Sequence, residues 1–138
     1  MLIPKRAKFR KQFKGVIKGY AQKGTKISFG EYGLVAQDQA RITARQIEAA
    51  RRAITHYTQR GGRLWITIFP HQPITKKPAE TSMGGGKGDV FEFVAPVKPG
   101  RILFEMAGVT KDVAYQALRL AGYKLGVKTK IVEKGESI

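Results

Sequence analysis

Ile42-Thr43-Ala44-Arg45-Gln46-Ile47-Glu48-Ala49-Ala50-Arg51-Arg52-Ala53-Ile54-Thr55-His56-Tyr57-Thr58-Gln59-Arg60-Gly61-Gly62 is the stretch from which the architecture of this chain is read. Thr43 has the side chain of an N-cap, and Gln46 three residues on completes a capping box. Ile42 and Ile47 stand at the positions of a hydrophobic staple. Ile47, Ala50, Ile54 and Tyr57 then repeat at helical spacing and predict a stripe facing a core. Gly61-Gly62 predicts the stop, with Arg60 in the last turn, where a cation suits the helix dipole. Ala44, Ala49, Ala50 and Ala53 permit close packing against a sheet.

Working outward, Leu64–Phe69 alternates as a strand with both faces largely apolar, which predicts at least partial cover on both sides. Upstream, Lys26–Gln37 alternates in pieces around Gly30 and Gly33, as one or two short strands with a bend, and Gln37–Ala40 reads as a polar connection. Downstream, Val90–Ala95 and Ile102–Met106 read as strands around a turn at Pro96, Pro99 and Gly100. Thr110 caps a second helix through Ala121, with Gly122 as the stop, and Leu125–Val132 is a last strand. The order of elements predicts an α+β fold, a two-layer sandwich of a mixed β-sheet with two helices on one face. One domain over 27–138 is expected, preceded by an extended basic N-terminal arm over 1–26 and interrupted by a long inter-strand loop over 70–89.

Charge is the strongest global signal. The 138 residues carry 26 Lys+Arg against 10 Asp+Glu, a net charge of +16. A compact body with that balance repels itself and suits a polyanion, whose binding releases counterions. Nucleic acid leads over an anionic membrane, because no run approaches the roughly eighteen apolar residues of a span and neither helix has a bulky apolar face. No disulfide or thiolate metal site is available without cysteine. The N-terminus lacks the apolar core of a signal peptide, so a cytoplasmic location is expected.

Two segments concentrate the charge pattern. Residues 1–26 hold Lys5, Arg6, Lys8, Arg10, Lys11, Lys14, Lys18, Lys23 and Lys26 with no acid, interleaved with Phe9, Phe13, Val16, Ile17 and Tyr20. Such a segment is expected to order on a partner. Between Arg41 and Arg60 five Arg face one Glu and no Lys. Arg forks match phosphate geometry as ammonium groups do not, so Arg41, Arg45, Arg51 and Arg52 are candidate phosphate contacts, Arg52 ahead of Arg51.

The loop Pro70–Asp89 begins stiff, through Pro70, Pro73 and Pro78, and ends in a nearly bare tip, Met83 to Gly88, with Lys87 as its cation. The tip is not a nucleotide site. A phosphate loop requires Gly where Thr81 stands and a hydroxyl where Gly88 stands, and a dinucleotide fingerprint started at Gly84 meets Asp89 in place of its third glycine. A strand follows, where both motifs need a helix. His56 and His71 lack ligand spacing. Glu92 and Glu105 are candidates to pair across neighbouring strands, with a lysine the safer partner for each. No catalytic residue, metal site or cofactor is expected.

The blocks Met1-Leu2, Pro4-Lys5-Arg6, Lys8-Phe9-Arg10-Lys11, Ser28-Phe29-Gly30, Gly33-Leu34, Thr43 to Ala53, Trp65-Ile66, Phe69-Pro70, Pro73-Ile74-Thr75, Lys77-Pro78, Met83-Gly84, Gly86-Lys87-Gly88, Lys98-Pro99-Gly100 and Lys128-Thr129 together resemble bacterial large-subunit ribosomal protein L-sixteen over essentially the whole chain. That resemblance implies a structural, non-enzymatic constituent of the large ribosomal subunit, a monomer within the particle, with large-subunit rRNA, tRNA and neighbouring ribosomal proteins as partners and no membrane. It implies rRNA contact for Lys5, Arg6, Lys8, Arg10, Lys11, Lys14, Arg41, Arg45, Arg51 and Arg52. It implies that Lys76, Lys77, Ser82, Met83, Gly84, Gly85, Gly86, Lys87 and Gly88 lie near tRNA at the peptidyl-transferase region. The expected location is a ribosome of bacterial type, with an organellar ribosome left open.

The chain departs from the family pattern at three positions. Ser82 replaces the usual Arg before Met-Gly, Gly85 a frequent basic residue, and Gly126 a usual Pro. The alternatives to a ribosomal role are a DNA-architectural protein, whose β-arm would wedge into a minor groove, and an enzyme acting on RNA through the loop.

Overall fold

The computed structural model describes residues 2–4, 19–75 and 90–135. In chain order these give β1 (Tyr32–Ala36), β2 (Ala40–Thr43), α1 (Ala44–Tyr57), β3 (Arg63–Ile66), β4 (Gln72–Thr75), β5 (Val90–Val97), β6 (Ile102–Ala107), α2 (Lys111–Lys124) and β7 (Thr129–Glu133). The fold is α+β with two helices, as the pattern predicts. Its strands form two antiparallel sheets, ordered β3-β6-β1-β7 and β2-β5-β4, where element order alone predicts one mixed sheet.

The topology explains the difference. The α1 connection leaves β2 in one sheet and delivers β3 to the other. The α2 connection returns to the same sheet, but β1 fills the slot between β6 and β7 and pairs antiparallel with both, Tyr32 facing Met106 on one side and Glu133 on the other. No parallel ladder remains to be made.

The start of α1 follows the local chemistry read from sequence. Thr43 is extended, its Oγ1 accepts from the Gln46 amide at 3.0 Å, and the Gln46 side chain accepts from the Thr43 amide at 3.0 Å. Ala44, Ile47, Ala50 and Ile54 are buried, while Tyr57, expected to complete the stripe, is 44% exposed at the last helical position. The helix ends before the glycines. The Thr58 hydroxyl bonds back to Ile54 O at 2.9 Å, and Gln59 and Arg60 take left-handed conformations with φ of 52° and 65°. Two successive non-glycine residues in that region are uncommon, and they redirect the chain before Gly61.

The second helix runs three residues beyond Ala121. Gly122 lies inside it because a Cβ there would stand 2.6 Å from Thr129 Oγ1, so the glycine lets α2 lie close to β7. The turn comes at Gly126, whose φ of 68° is closed to a proline ring. The proline expected from the family pattern is therefore incompatible with the turn this chain makes.

Four strand expectations also shift. The polar connection expected over Gln37–Ala40 stops short of Ala40, where β2 begins and pairs with β5, with Ile42 fully buried. The strand expected through Phe69 ends at Ile66, at the edge of its sheet, with Leu64, Trp65 and Ile66 each partly buried. Residues 72–75 of the expected loop form β4, with Pro73 opposite Phe93. That proline is tolerated because β4 is an edge strand, where a missing N–H breaks no inner ladder. The last strand begins at Thr129 rather than Leu125, because Leu125 caps α2 and Gly126 turns.

Helices α1 and α2 pack on each other. One core joins them to the strands through Leu34, Ile42, Ile47, Ile54, Phe104 and Leu118. A smaller cluster of Val35, Ile102 and Val132 is covered by Ile27. The segment after Gly19 is tied to the body, with Ala21 N donating to Pro99 O at 2.9 Å and Ile102 N to Gly24 O at 2.7 Å. Leu2 packs against the main core from the other flank of the basic segment.

The Ser28-Phe29-Gly30 block owes its sequence to Glu105. This carboxylate, 2% exposed on β6, faces neither Glu92 nor a lysine. Glu92 belongs to β5, in the other sheet, so the expected pairing between the two does not exist. Glu105 Oε1 instead accepts from the amides of Ser28 at 3.1 Å, Phe29 at 2.8 Å and Gly30 at 2.8 Å. Successive amides converging on one anion form a nest. Gly30 reaches it only without a side chain, because a Cβ there would lie 2.7 Å from Met106 O. Gly30→Ala is expected to cost about 1–3 kcal/mol of stability, since the obstruction is backbone. Urea unfolding measures this, and an unchanged midpoint would contradict it.

Candidate nucleic-acid interface

The expected contacts divide by position. Lys5, Arg6, Lys8, Arg10, Lys11 and Lys14 lie outside the described residues, as do Lys76, Lys77, Ser82, Met83, Gly84, Gly85, Gly86, Lys87 and Gly88. Arg41, Arg45, Arg51 and Arg52 are described, and the fold separates them. Arg41 is half-buried on β2, opposite Pro96. Arg45 is exposed on the first turn of α1. Arg51 and Arg52 line a groove of about 720 Å³ along the C-terminal half of α1, together with Thr55, His56, Gln59 and Arg60.

Glu48 organises this face. Its Oε1 lies 2.6 Å from Arg51 Nη2 and its Oε2 3.1 Å from Arg51 Nε, a two-pronged pairing, and Arg52 Nε approaches Oε1 at 3.3 Å. The hydrogen bond from Arg51 dominates, and with the charges of Arg51 and Arg52 it holds the Glu48 carboxyl down to about 2 against the opposing cost of burial. The same bond pushes the Arg51 guanidinium up. Glu48 is therefore anionic across the neutral range and fixes Arg51 in one geometry. Arg52 stays 71% exposed, with most of its fork turned to solvent. Arg52 is thus the more accessible of the two guanidinium groups.

Three guanidinium groups, Arg51, Arg52 and Arg60, thus share one groove, and two of them are paired with Glu48, which does not line it. Thr55 and Gln59 add neutral hydrogen-bonding groups, and His56 adds a ring. Such an arrangement suits the oxygens of a phosphodiester backbone, which accept bidentate donors and need no catalytic group. Sequence reasoning placed Arg60 only as a favourable charge at a helix end. Its place in the groove comes from the left-handed turn at Gln59 and Arg60, which no spacing rule reveals.

His71 is exposed, its Nδ1 3.2 Å from Phe69 O. Glu133 accepts from Lys111 at 2.7 Å and from the Tyr115 hydroxyl at 3.1 Å, and the Lys111 contact holds its carboxyl below the ordinary range. Among the described residues, no group of three or more His, Cys, Asp or Glu is placed to hold a metal ion. Among them, too, no helix is long and apolar enough to cross a membrane. The family model described as ribosomal protein L16p/L10e matches residues 4–132.

Proposed function

The chain belongs to the ribosomal protein L16p/L10e family, whose members are structural constituents of the large ribosomal subunit, and on that premise we propose that it grips large-subunit rRNA through the α1 groove. In this reading Arg52 and Arg60 contact backbone phosphates, Arg51 is held ready by Glu48, and Arg45 extends the contact along the helix. The basic segment of residues 5–18 adds further phosphate contacts. Lys76, Lys77 and Ser82 to Gly88, which lie between β4 and β5 in the sequence, contact bound tRNA near the peptidyl-transferase region. The protein acts by binding and positioning, as a monomer within a cytoplasmic ribosome of bacterial type, and performs no chemistry.

The observation that carries the reading is the concentration of three arginines in one groove on a chain of net charge +16. Folded RNA is recognised mainly through shape and phosphate contacts, which this surface can supply. Competition at equal salt between deproteinised large-subunit RNA and duplex DNA tests it. RNA is expected to displace DNA from the protein. Equal or tighter binding to DNA would favour the architectural alternative.

A further inference from the structure

Lys128-Thr129 belongs to the sequence blocks noted above, yet the α1 groove leaves it without a role. In the fold it lies beside a second hollow, of about 390 Å³, between the C-terminal half of α2 and β7. Val127 and Ile131 give this hollow an apolar floor, with Arg119, Tyr123, Lys128 and Lys130 around it. It shares no lining residue with the α1 groove.

Three features set it apart from an ordinary solvated surface. Tyr123 is 73% exposed, an aromatic ring left in water at the hollow's rim. From Val113 through Val132 the chain has four cations (Arg119, Lys124, Lys128 and Lys130) and no acid. None of the four takes part in the salt bridges among the described residues, and Arg119 donates only to the neutral Gln116 side chain, at 3.2 Å. Finally, β7 is the outer strand of the order β3-β6-β1-β7, so one side of its backbone has no neighbouring strand among the described residues. Lysines on an edge strand discourage unwanted pairing. That role does not account for an exposed tyrosine beside an apolar floor.

We infer that this hollow is a second RNA contact, which takes one unpaired nucleotide of the large-subunit RNA. The base stacks on Tyr123 over Val127 and Ile131, and the adjoining phosphates lie on Lys128, Lys130 and Arg119. Aromatic platforms flanked by cations are how proteins hold unstacked bases. The inference rests on the RNA-binding reading and adds a face which that reading does not use.

The test titrates the full chain with deproteinised large-subunit RNA over a series of salt concentrations. Tyr123→Ala is expected to weaken binding by about 5- to 160-fold, the range for losing one stacked base, while Tyr123→Phe, which keeps the ring, restores most of it. Lys128→Ala with Lys130→Ala is expected to flatten the slope of log K against log salt by about 1.4–1.8. These side chains are exposed, and circular dichroism checks that the variants fold. If Tyr123→Ala binds within about twofold of the parent, or if Tyr123→Phe loses as much as Tyr123→Ala, the stacking site is overturned. Should the Tyr123 and lysine variants bind normally while Arg52→Ala and Arg60→Ala lose affinity, this surface fails and the α1 reading stands. If all of them bind like the parent, the RNA reading fails as well.

Discussion

Replacing Glu105 by Ala is expected to lower the free energy of unfolding by about 2–4 kcal/mol, the largest single-residue loss of stability foreseen for this chain. The argument is one of unpaired donors. Three amides, of Ser28, Phe29 and Gly30, converge on one carboxylate that is 2% exposed. Each buried donor stranded without an acceptor costs roughly 1–3 kcal/mol. Ser28 and Phe29 are exposed enough to recruit water, whereas Gly30 is buried, so the sum falls short of three full penalties. Glu105→Gln keeps one acceptor oxygen but loses the charge and turns an amide donor toward the nest. It should fall between the parent and Glu105→Ala. Chemical denaturation followed by Trp65 fluorescence reads both changes, since that ring stacks on Phe29 with centroids 6.1 Å apart. A Glu105→Ala protein as stable as the parent would mean that the nest does not hold the segment from Ile27 to Glu31 against the sheet.

The second large effect concerns binding. Arg52→Ala combined with Arg60→Ala is expected to weaken affinity for large-subunit RNA by about 16- to 25-fold near 0.15 M salt, at about four- to fivefold per lost phosphate contact. This pair is chosen over Arg51 for a structural reason. Arg51 is bound through two nitrogens to Glu48, so removing it strands a partly buried carboxylate and mixes a folding defect with a binding defect. Arg52 and Arg60 are exposed, and the core stripe of Ile47, Ala50 and Ile54 lies elsewhere on or before their part of the chain. Their removal should leave the unfolding midpoint within about 0.5 kcal/mol of the parent, as for ordinary surface substitutions. Loss of RNA affinity with stability intact is thus the expected signature.

How far the chain could be read in advance follows from how local each determinant is. The α1 cap is legible because Thr43 and Gln46 complete it between them within one turn. The arginine face was legible because helical spacing maps residue numbers directly onto a surface. The nest around Glu105 was not, since its partners lie 75 to 77 residues away in sequence and no local pattern joins them. Gly122 looked like a helix stop because nothing nearby reveals that Thr129 lies against it. Strand β4 was hidden by Pro73, whose usual meaning is a loop unless the strand is known to lie at an edge. Arg60 joined the groove through a backbone conformation that its residue type disfavours. Local chemistry was readable, and long-range pairing became so only once the two sheets were known.

The central claim is that the α1 groove holds RNA by its phosphates, and the salt dependence of binding tests it most directly. Affinity for deproteinised large-subunit RNA, measured across a range of monovalent salt, gives a line in log K against log salt for the parent and for the Arg52→Ala, Arg60→Ala protein. The account predicts a line shallower by about 1.4–1.8 for the variant, two released counterions fewer. Two parallel lines of equal slope would place those arginines off the RNA and contradict it.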